Sequence, residues 1–255
     1  MSLFTNISKL STTIGAEIND FDLKNVSKDD VQEFRAILSE HKVLFFPDQE
    51  LTIEEHVAFG ELFGELEGHP HINNPNVKHP TIFELAASTG GIADEWHTDL
   101  TFQKRPALMS ILKMTAAPDV GGDTMWTDLV AAFKALSKPM QDLCSSITAL
   151  HDASPHMHPE KMMIHPVVRK HPDTGEAVLY VNEHFTRRIV ELSHEESEQL
   201  LSFLTKWVQK PDFSVRYKWS KNTIAIWDNR STQHFVVNNF EGERIIQRVT
   251  VTGDI

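Results

Sequence analysis

The sequence predicts a mainly β protein, either a β-sandwich or a β-barrel, with flanking helices packed on the outside. Four successive strand patterns occupy the C-terminal part, at 214–219, 223–227, 232–237 and 244–251. Helical patterns cluster before or between the strand-rich parts of the chain. The candidate metal ligands come from both strand-rich parts, at positions as distant as 97 and 234, so a closed sheet is needed to bring them together.

Two helices in the first half begin at capping signals. Ser27 with Asp30 starts the first helix, and Thr52 with Glu55 starts the second, because these side chains can satisfy free backbone N–H groups of a first turn. Between them, 43–46 is a short apolar run that ends at a Pro-Asp pair. This pattern predicts a buried strand.

The middle of the chain combines regular elements with two irregular segments. The regular elements are expected as a strand at 107–114, helices at 128–136 and 139–147, a hairpin turn at 172–175 and the longest helix from Ser193. Histidines lie among Pro, Asn and Gly residues at 68–91, which predicts a loop. The segment 151–165 carries four more histidines and two prolines, and it predicts a mobile loop over a site.

Length and charge bound the class of protein. The 255 residues approach the upper size for one hydrophobic core, and no linker or repeat divides them, so one domain spanning 1–255 is expected. The formal charge is −12, from 24 basic and 36 acidic residues. Nucleic acids and anionic membranes are therefore not expected as partners, because both are polyanions.

Apolar runs and the single cysteine bear on location and redox chemistry. The longest apolar runs, such as 129–133 and 177–181, have five residues, so no membrane span is expected. The N-terminus lacks the pattern of a signal peptide, and we expect a cytoplasmic protein. Cys144 lies at helical spacing from Met140 and Ile147, so a buried thiol is expected rather than a nucleophile.

The strongest candidates for metal binding are His97 and Asp99. On a strand, side chains two residues apart project from the same face and could bind one metal ion together. The same spacing recurs at His171 and Asp173, but the neighbouring Pro, Thr and Gly predict a solvent-exposed turn there. His234 would complete a two-histidine, one-carboxylate triad, which leaves three positions on Fe(II) open for a chelating cosubstrate and O2.

Two arginines share one face of the last predicted strand. Period-two alternation puts Arg244 and Arg248 on the same side of 244–251. On a solvent face they would be ordinary surface charges. If the face points into a barrel beside His234, each arginine needs an anion, because an unpaired buried cation is costly. Guanidinium groups suit carboxylates and sulfonate-like groups, so one could hold α-ketoglutarate and the other an acidic substrate.

Together these motifs resemble the taurine dioxygenase and chlorophenoxyacetate dioxygenase (TauD/TfdA) family of Fe(II)- and α-ketoglutarate-dependent oxygenases. The resemblance covers nearly the whole chain. Besides Arg244 and Arg248, the matching segments are 14–17 (Ile-Gly-Ala-Glu), 63–66 (Phe-Gly-Glu-Leu), 96–99 (Trp-His-Thr-Asp), 121–124 (Gly-Gly-Asp-Thr), 165–168 (His-Pro-Val-Val), 181–183 (Val-Asn-Glu) and 227–230 (Trp-Asp-Asn-Arg). The resemblance implies a double-stranded β-helix, or jelly-roll, core.

The resemblance also implies site residues and a reaction. It assigns iron binding to His97, Asp99 and His234, the distal carboxylate of α-ketoglutarate to Thr124 and Arg244, and the substrate to His69, Phe102 and Arg248. It implies a lid around 69–93 and 152–165. The implied enzyme uses Fe(II), α-ketoglutarate and O2 to hydroxylate a small organic anion, foremost a taurine-type sulfonate that then releases sulfite and an aldehyde. A homo-oligomer is expected.

Departures from the taurine enzymes leave the substrate open. Ile72 and Ala93 stand where those enzymes have a tyrosine and an asparagine, and the segment between Asp152 and His165 is shorter. The pocket is therefore expected to suit an ammonium group less and apolar groups more. The alternative substrates are aryloxyalkanoates, sulfate esters and other carboxylates.

Two alternatives come from other classes of protein. The chain could be a metal-free barrel that binds small acids. The histidines of 151–165 could instead form a zinc hydrolase centre, although their spacing fits no standard structural zinc site.

Overall fold

The computed structural model describes residues 3–68, 79–87 and 93–253. In chain order the strands are β1 (Ile7–Lys9), β2 (Ala16–Ile18), β3 (Val43–Phe46), β4 (Phe83–Ala86), β5 (Met109–Ala116), β6 (Thr124–Asp128), β7 (Thr148–Ala153), β8 (His158–Pro166), β9 (Val168–Lys170), β10 (Ala177–Leu179), β11 (Thr186–Ile189), β12 (Ser214–Tyr217), β13 (Ile224–Asp228), β14 (Thr232–Val236) and β15 (Ile245–Val251). The α-helices are α1 (Val31–His41), α2 (Ile53–Glu61), α3 (Leu129–Lys134), α4 (Lys138–Ser145) and α5 (His194–Val208).

Helices α2 and α5 begin where the capping patterns predict, whereas Ser27 caps a short 3-10 turn, Lys28–Asp30, that leads into α1. At α2 the Thr52 side chain accepts from the N–H of Glu55 at 3.2 Å, and the Glu55 carboxylate accepts from the N–H of Thr52 at 2.8 Å. The same reciprocal pair precedes α5, between Ser193 and Glu196. Among the described residues, every helix is too short or too polar to pass through a lipid bilayer.

The strands form one large sheet and three smaller ones. The large sheet has seven strands in the order β1-β2-β3-β13-β5-β15-β4. The smaller sheets have the orders β12-β6-β14, β11-β7-β8 and β10-β9. Within the described ranges, all of these pairs are antiparallel except β2 with β3.

Two faces of the large sheet are buried, which explains its continuous apolar runs. On β13, Ile224 and Ile226 join the apolar core under α1 and α2, whereas Ala225 and Trp227 point into the interior between the sheets. The sheet β12-β6-β14 closes that interior, because Phe45 of β3 stacks on Tyr217 of β12 with ring centroids 3.8 Å apart. The mainly β prediction is confirmed, and the facing sheets form a jelly-roll core.

Several local predictions were wrong. The segment 158–166 is strand β8, not a loop, with Pro159 and Pro166 near its ends, where a missing N–H is tolerated. Within the predicted loop 68–91, the described residues include β4, which pairs with β15. His171 lies in a turn as predicted but is buried, because its Nε2 bonds to Asp228 Oδ2 at 3.0 Å.

Candidate metal centre

The candidate metal centre forms where His97 pairs with His234 of β14. The backbone N–H of His97 donates to the carbonyl of His234 at 3.1 Å, and the N–H of His234 donates to the carbonyl of His97 at 2.8 Å. This single bridge takes the place of the strand predicted around His97, and the chain turns immediately afterwards at Leu100, whose φ is +57°. One ligand atom from each of His97, Asp99 and His234 lies within 4.8 Å of the others.

The ring of His97 is oriented by its backbone surroundings. Its Nδ1 lies 2.7 Å from the carbonyl oxygen of Glu95. A carbonyl only accepts hydrogen bonds, so Nδ1 carries the proton in the neutral ring and Nε2 keeps a lone pair. Nε2 faces Asp99, with 3.9 Å between it and Oδ1. This tautomer is the one that a metal ligand requires.

The charge of Asp99 is stabilised in a buried position. Burial opposes its ionised form, but the charge of Arg248 is the largest of the opposing causes, and the pKa of Asp99 lies well below its usual range. Arg248 Nη1 donates to Asp99 Oδ1 at 2.7 Å, and Ser110 Oγ donates to Asp99 Oδ2 at 2.7 Å. Asp99 is therefore a carboxylate, the anionic member of the triad.

Both histidines of the triad are neutral. Burial lowers the pKa of His97, and burial is also the largest cause that lowers the pKa of His234 well below the usual value. The Nδ1 of His234 is buried and has no hydrogen-bond partner among the residues described. Two neutral imidazoles and one carboxylate fit Fe(II) and leave coordination positions open. The three predicted ligands are thus brought together.

Arg244 lies in a buried site without an anionic protein partner. Its Nε donates to the carbonyl of Gly122 at 3.0 Å, and its Nη2 donates to Thr124 Oγ1 at 3.2 Å. In the described part of the chain no carboxylate pairs with Arg244, and burial lowers its pKa to about 10. Trp219 Nε1 also donates to Thr124 Oγ1, at 2.8 Å. The predicted pair Thr124 and Arg244 is therefore in contact, and its cation lacks a counter-ion.

Arg248 lies on the same face of β15. Its guanidinium pairs with Asp99 and lies over the ring of Phe83, 5.0 Å from the ring centroid. Its Nε is buried and makes no hydrogen bond within the described ranges. Arg248 therefore keeps one donor for a further acceptor, whereas the Arg244 guanidinium makes only neutral contacts. Both arginines are buried, so of the two alternatives for this face the inward one is observed.

A cluster of aromatic rings adjoins the metal centre. Phe102 packs edge-on against Phe185 and His156, with centroid distances of 5.2 and 5.8 Å. Phe185 lies 6.5 Å and His184 5.5 Å from the ring of His97. The sequence predicted Phe102 alone, although His184 and Phe185 directly follow the Val-Asn-Glu motif. The predicted His69 and the departure at Ile72 lie outside the described residues.

The histidines of 151–165 do not form a second metal centre. Among the described residues, the triad is the only group of three His, Cys, Asp or Glu side chains close enough to hold a metal ion. His158 bonds to Glu160 at 3.1 Å on the surface, whereas His151 is buried against Thr101. The alternative of a zinc centre at 151–165 therefore has no set of ligands among the described residues.

The jelly roll and its triad define a class of protein: jelly-roll proteins with a candidate two-histidine, one-carboxylate metal site. Within that class the chain belongs to the taurine catabolism dioxygenase TauD, TfdA family, whose model matches residues 6–250. It is therefore a member of an α-ketoglutarate-dependent dioxygenase family.

Named relatives of this family span two sulfur chemistries. The chain is 34% identical to an alkylsulfatase of Acinetobacter baylyi, over 98% of this chain and 85% of the relative. It is 33% identical to an α-ketoglutarate-dependent sulfate ester dioxygenase of Pseudomonas putida, over 100% of this chain and 91% of the relative. A taurine dioxygenase structure from Burkholderia xenovorans superposes with a TM-score of 0.88 and 36% identity, covering 98% of this chain and 91% of that one.

Proposed function

We propose that this protein is an Fe(II)- and α-ketoglutarate-dependent dioxygenase that hydroxylates a small organosulfur anion, either a taurine-type sulfonate or a sulfate ester. The observation that carries the proposal is the buried pair of arginines beside the triad, one of which has no anionic partner in the described chain. A metal-free binding barrel would not need a neutral, correctly oriented triad as well. Iron, α-ketoglutarate and O2 are thus the proposed cofactor and cosubstrates.

Arg244 and Thr124 are the proposed receptor for the distal carboxylate of α-ketoglutarate. The guanidinium is buried and charged, and its protein contacts are a carbonyl and a hydroxyl, so a carboxylate would supply the missing negative charge. The hydrogen bond from Trp219 to Thr124 fixes the hydroxyl of this receptor. These side chains orient the cosubstrate toward the triad.

Arg248 is the proposed receptor for the substrate anion. Its unpartnered Nε offers a buried donor, and its charge is shared with Asp99, so the anion would be placed next to the metal centre. His69 is a further proposed contact. Phe102 and Phe185 would surround the organic part of the substrate and exclude water from the reacting carbon.

Iron with α-ketoglutarate and O2 supplies the oxidising power that replaces a C–H hydrogen of the substrate by a hydroxyl group, with succinate and CO2 as co-products. The protein fixes which carbon reacts, because the anion receptor and the cluster of aromatic rings set the position of that carbon. Hydroxylation of the carbon that bears the sulfur group makes the product fragment to an aldehyde. A sulfonate would release sulfite, and a sulfate ester would release sulfate.

The apolar lining favours substrates with an apolar organic part. Leu100, Phe102, Ala153 and Phe185 form one buried apolar cluster, and the rings of His156 and His184 pack against Phe185. Such a lining does not stabilise an ammonium group. Sulfate esters and alkanesulfonates with an apolar organic part are therefore proposed substrates alongside taurine.

The proposal is tested by an anaerobic titration followed by turnover. Fe(II) and α-ketoglutarate should together give a charge-transfer absorption band, and O2 should then yield succinate in the presence of a substrate. A panel of alkanesulfonates, taurine, alkyl sulfates and carboxylates is assayed in parallel for succinate, sulfite and sulfate.

The control is His234→Ala, which removes one ligand and should lose both the band and turnover. Absence of the band in the wild-type protein would favour the metal-free barrel. If only carboxylates support succinate formation, the enzyme class would stand, but the proposal of a sulfur-containing substrate would be wrong.

We also propose a cytoplasmic location and a homo-oligomeric state. A single domain spanning 1–255, with a lid around 69–93 and 152–165, is part of the same proposal.

A further inference from the structure

Both oxygens of Asp99 are already engaged by the protein. Oδ1 accepts from Arg248 and is the oxygen that faces His97 Nε2, at 3.9 Å. Oδ2 accepts from Ser110 Oγ at 2.7 Å. The carboxylate is thus held in a fixed rotation, with one oxygen toward the imidazoles and the other bound to a hydroxyl.

The hydroxyl of Ser110 is itself held by a chain with only one possible direction. Trp227 Nε1 is solely a donor, so the Asn229 atom that lies 2.9 Å from it must be the amide oxygen. The Asn229 nitrogen then faces Ser110 Oγ, also at 2.9 Å, and donates to it. Ser110 accepts that bond, so its single proton is directed to Asp99 Oδ2. The backbone N–H of Asp99 points to the same Asn229 oxygen at 3.4 Å.

Backbone pairing keeps this chain in place. Ser110 of β5 lies directly opposite Trp227 of β13 in the sheet register. The N–H of Asn229 donates to the carbonyl of Leu108 at 2.9 Å, which ties the turn after β13 to the start of β5. Trp227, Asn229 and Ser110 are all fully buried. Water therefore does not compete for these hydrogen bonds, and each is stronger than it would be at the surface.

We propose that Trp227, Asn229 and Ser110 form a positioning relay that restricts Asp99 to one metal-binding oxygen, Oδ1. A carboxylate with both oxygens available could bind a metal ion through both and occupy a position that a chelating cosubstrate or O2 requires. The relay holds Oδ2 on a hydroxyl instead. This inference rests on the proposed metal centre, and it gives the Trp-Asp-Asn motif a task in metal geometry.

Ser110 variants with graded donor strength test the relay. Ser110→Cys keeps a weaker donor on a somewhat larger side chain, and Ser110→Ala removes the donor. The metal-free protein is titrated with Co(II), which needs no exclusion of O2. We expect Co(II) affinity to fall about 10–100-fold in Ser110→Ala, as for other partners that orient metal ligands, and less in Ser110→Cys. The visible spectrum of Co(II) should change, since it depends on coordination number.

The matched control is Thr127→Val on β6. It removes a buried hydroxyl, which donates to the carbonyl of Val208 at 2.5 Å, without touching the triad. It should leave Co(II) affinity and spectrum as in the wild type. Failure of the wild-type protein to bind Co(II) would overturn the metal centre itself. Binding and spectra in both Ser110 variants equal to the wild type would overturn only the relay, and Ser110→Cys covers the case in which Ser110→Ala does not fold.

Discussion

Two regions of this protein pair buried histidines with an arginine, and they differ in one charge. The triad region consists of His97, Asp99, His234 and Arg248. The His151 cluster consists of His151, His165, Tyr180 and Arg169. The two imidazole centroids lie 4.0 Å apart in the triad region and 5.4 Å apart in the cluster.

The histidines of the cluster have neutral hydrogen-bond partners, although His151 Nε2 is buried without one among the described residues. His151 Nδ1 lies 3.0 Å from Thr101 Oγ1, and His165 Nε2 lies 3.0 Å from the carbonyl of Gln103. Arg169 lies over the ring of Tyr180, 4.7 Å from its centroid. Burial lowers the pKa of His151 to about 3 and raises the pKa of Tyr180 to about 12. Buried imidazoles alone therefore make a polar core, and the carboxylate of Asp99 is what turns the other pair into a candidate cation site.

The largest expected effect is the loss of metal affinity when a residue of the triad region, but not of the His151 cluster, is replaced. Asp99→Ala removes the anionic ligand, and we expect Fe(II) or Co(II) affinity to fall by more than the roughly 10–100-fold typical of partners outside the ligand set. His151→Leu should leave the affinity unchanged, since the His151 ring bonds to Thr101 and Thr186 and not to a triad residue. Equilibrium dialysis of the metal measures both. Equal losses in the two variants would mean that the cluster also takes part in metal binding.

The next expected effect concerns the arginines. Arg244→Ala should raise the KM for α-ketoglutarate on the order of 10–100-fold, because a charged hydrogen bond is worth about 1.5–3 kcal/mol. Arg248→Ala should raise the KM of the substrate by a similar factor, while uncoupled turnover of α-ketoglutarate persists. Steady-state succinate formation gives both constants.

Arg169→Ala is the control, because it removes an arginine that lies over an aromatic ring in the His151 cluster. It should leave both KM values unchanged. Identical defects in Arg244→Ala and Arg248→Ala would undo the division of tasks between the two receptors.

The amino-acid pattern predicted the elements whose causes are local. Helix caps form at the expected residues, Ser27, Thr52 and Ser193. The strands β3 and β13, which are buried on both faces, also form where expected. Both kinds of element depend on side chains close in sequence. The alternation over 244–251 likewise put Arg244 and Arg248 on one face, and both are buried. Strand β8 was missed because its pairing with β7 outweighs its proline and histidine content.

The triad was predictable in identity but not in its surroundings. Spacing singled out His97 and Asp99, yet they lie at a single bridge and a turn, not on the expected strand. Ser110 gives no local signal, because a lone serine in an apolar strand gains its role only when β5 pairs with β13. The buried state of His171 depends in the same way on Asp228, a residue far along the chain.

The smallest expected effect is the pH dependence of stability in the His151 cluster. Below its usual pKa of 6.5, an unfolded His151 takes up a proton, whereas the folded residue stays neutral to about pH 3. The unfolded state therefore binds more protons in this window, and stability falls on acidification by up to about 1.4 kcal/mol for each pH unit.

His151→Leu removes this contribution. Urea unfolding of the metal-free proteins from pH 7 to pH 4 should thus show a shallower slope for the variant, whatever its stability at pH 7. The buried His56, whose pKa burial lowers to about 4, contributes equally to both proteins and cancels in the difference. If stability depended on pH equally in the wild type and in His151→Leu, folding would not suppress protonation of His151. A charged His151 would then need an anionic partner, as the triad region does.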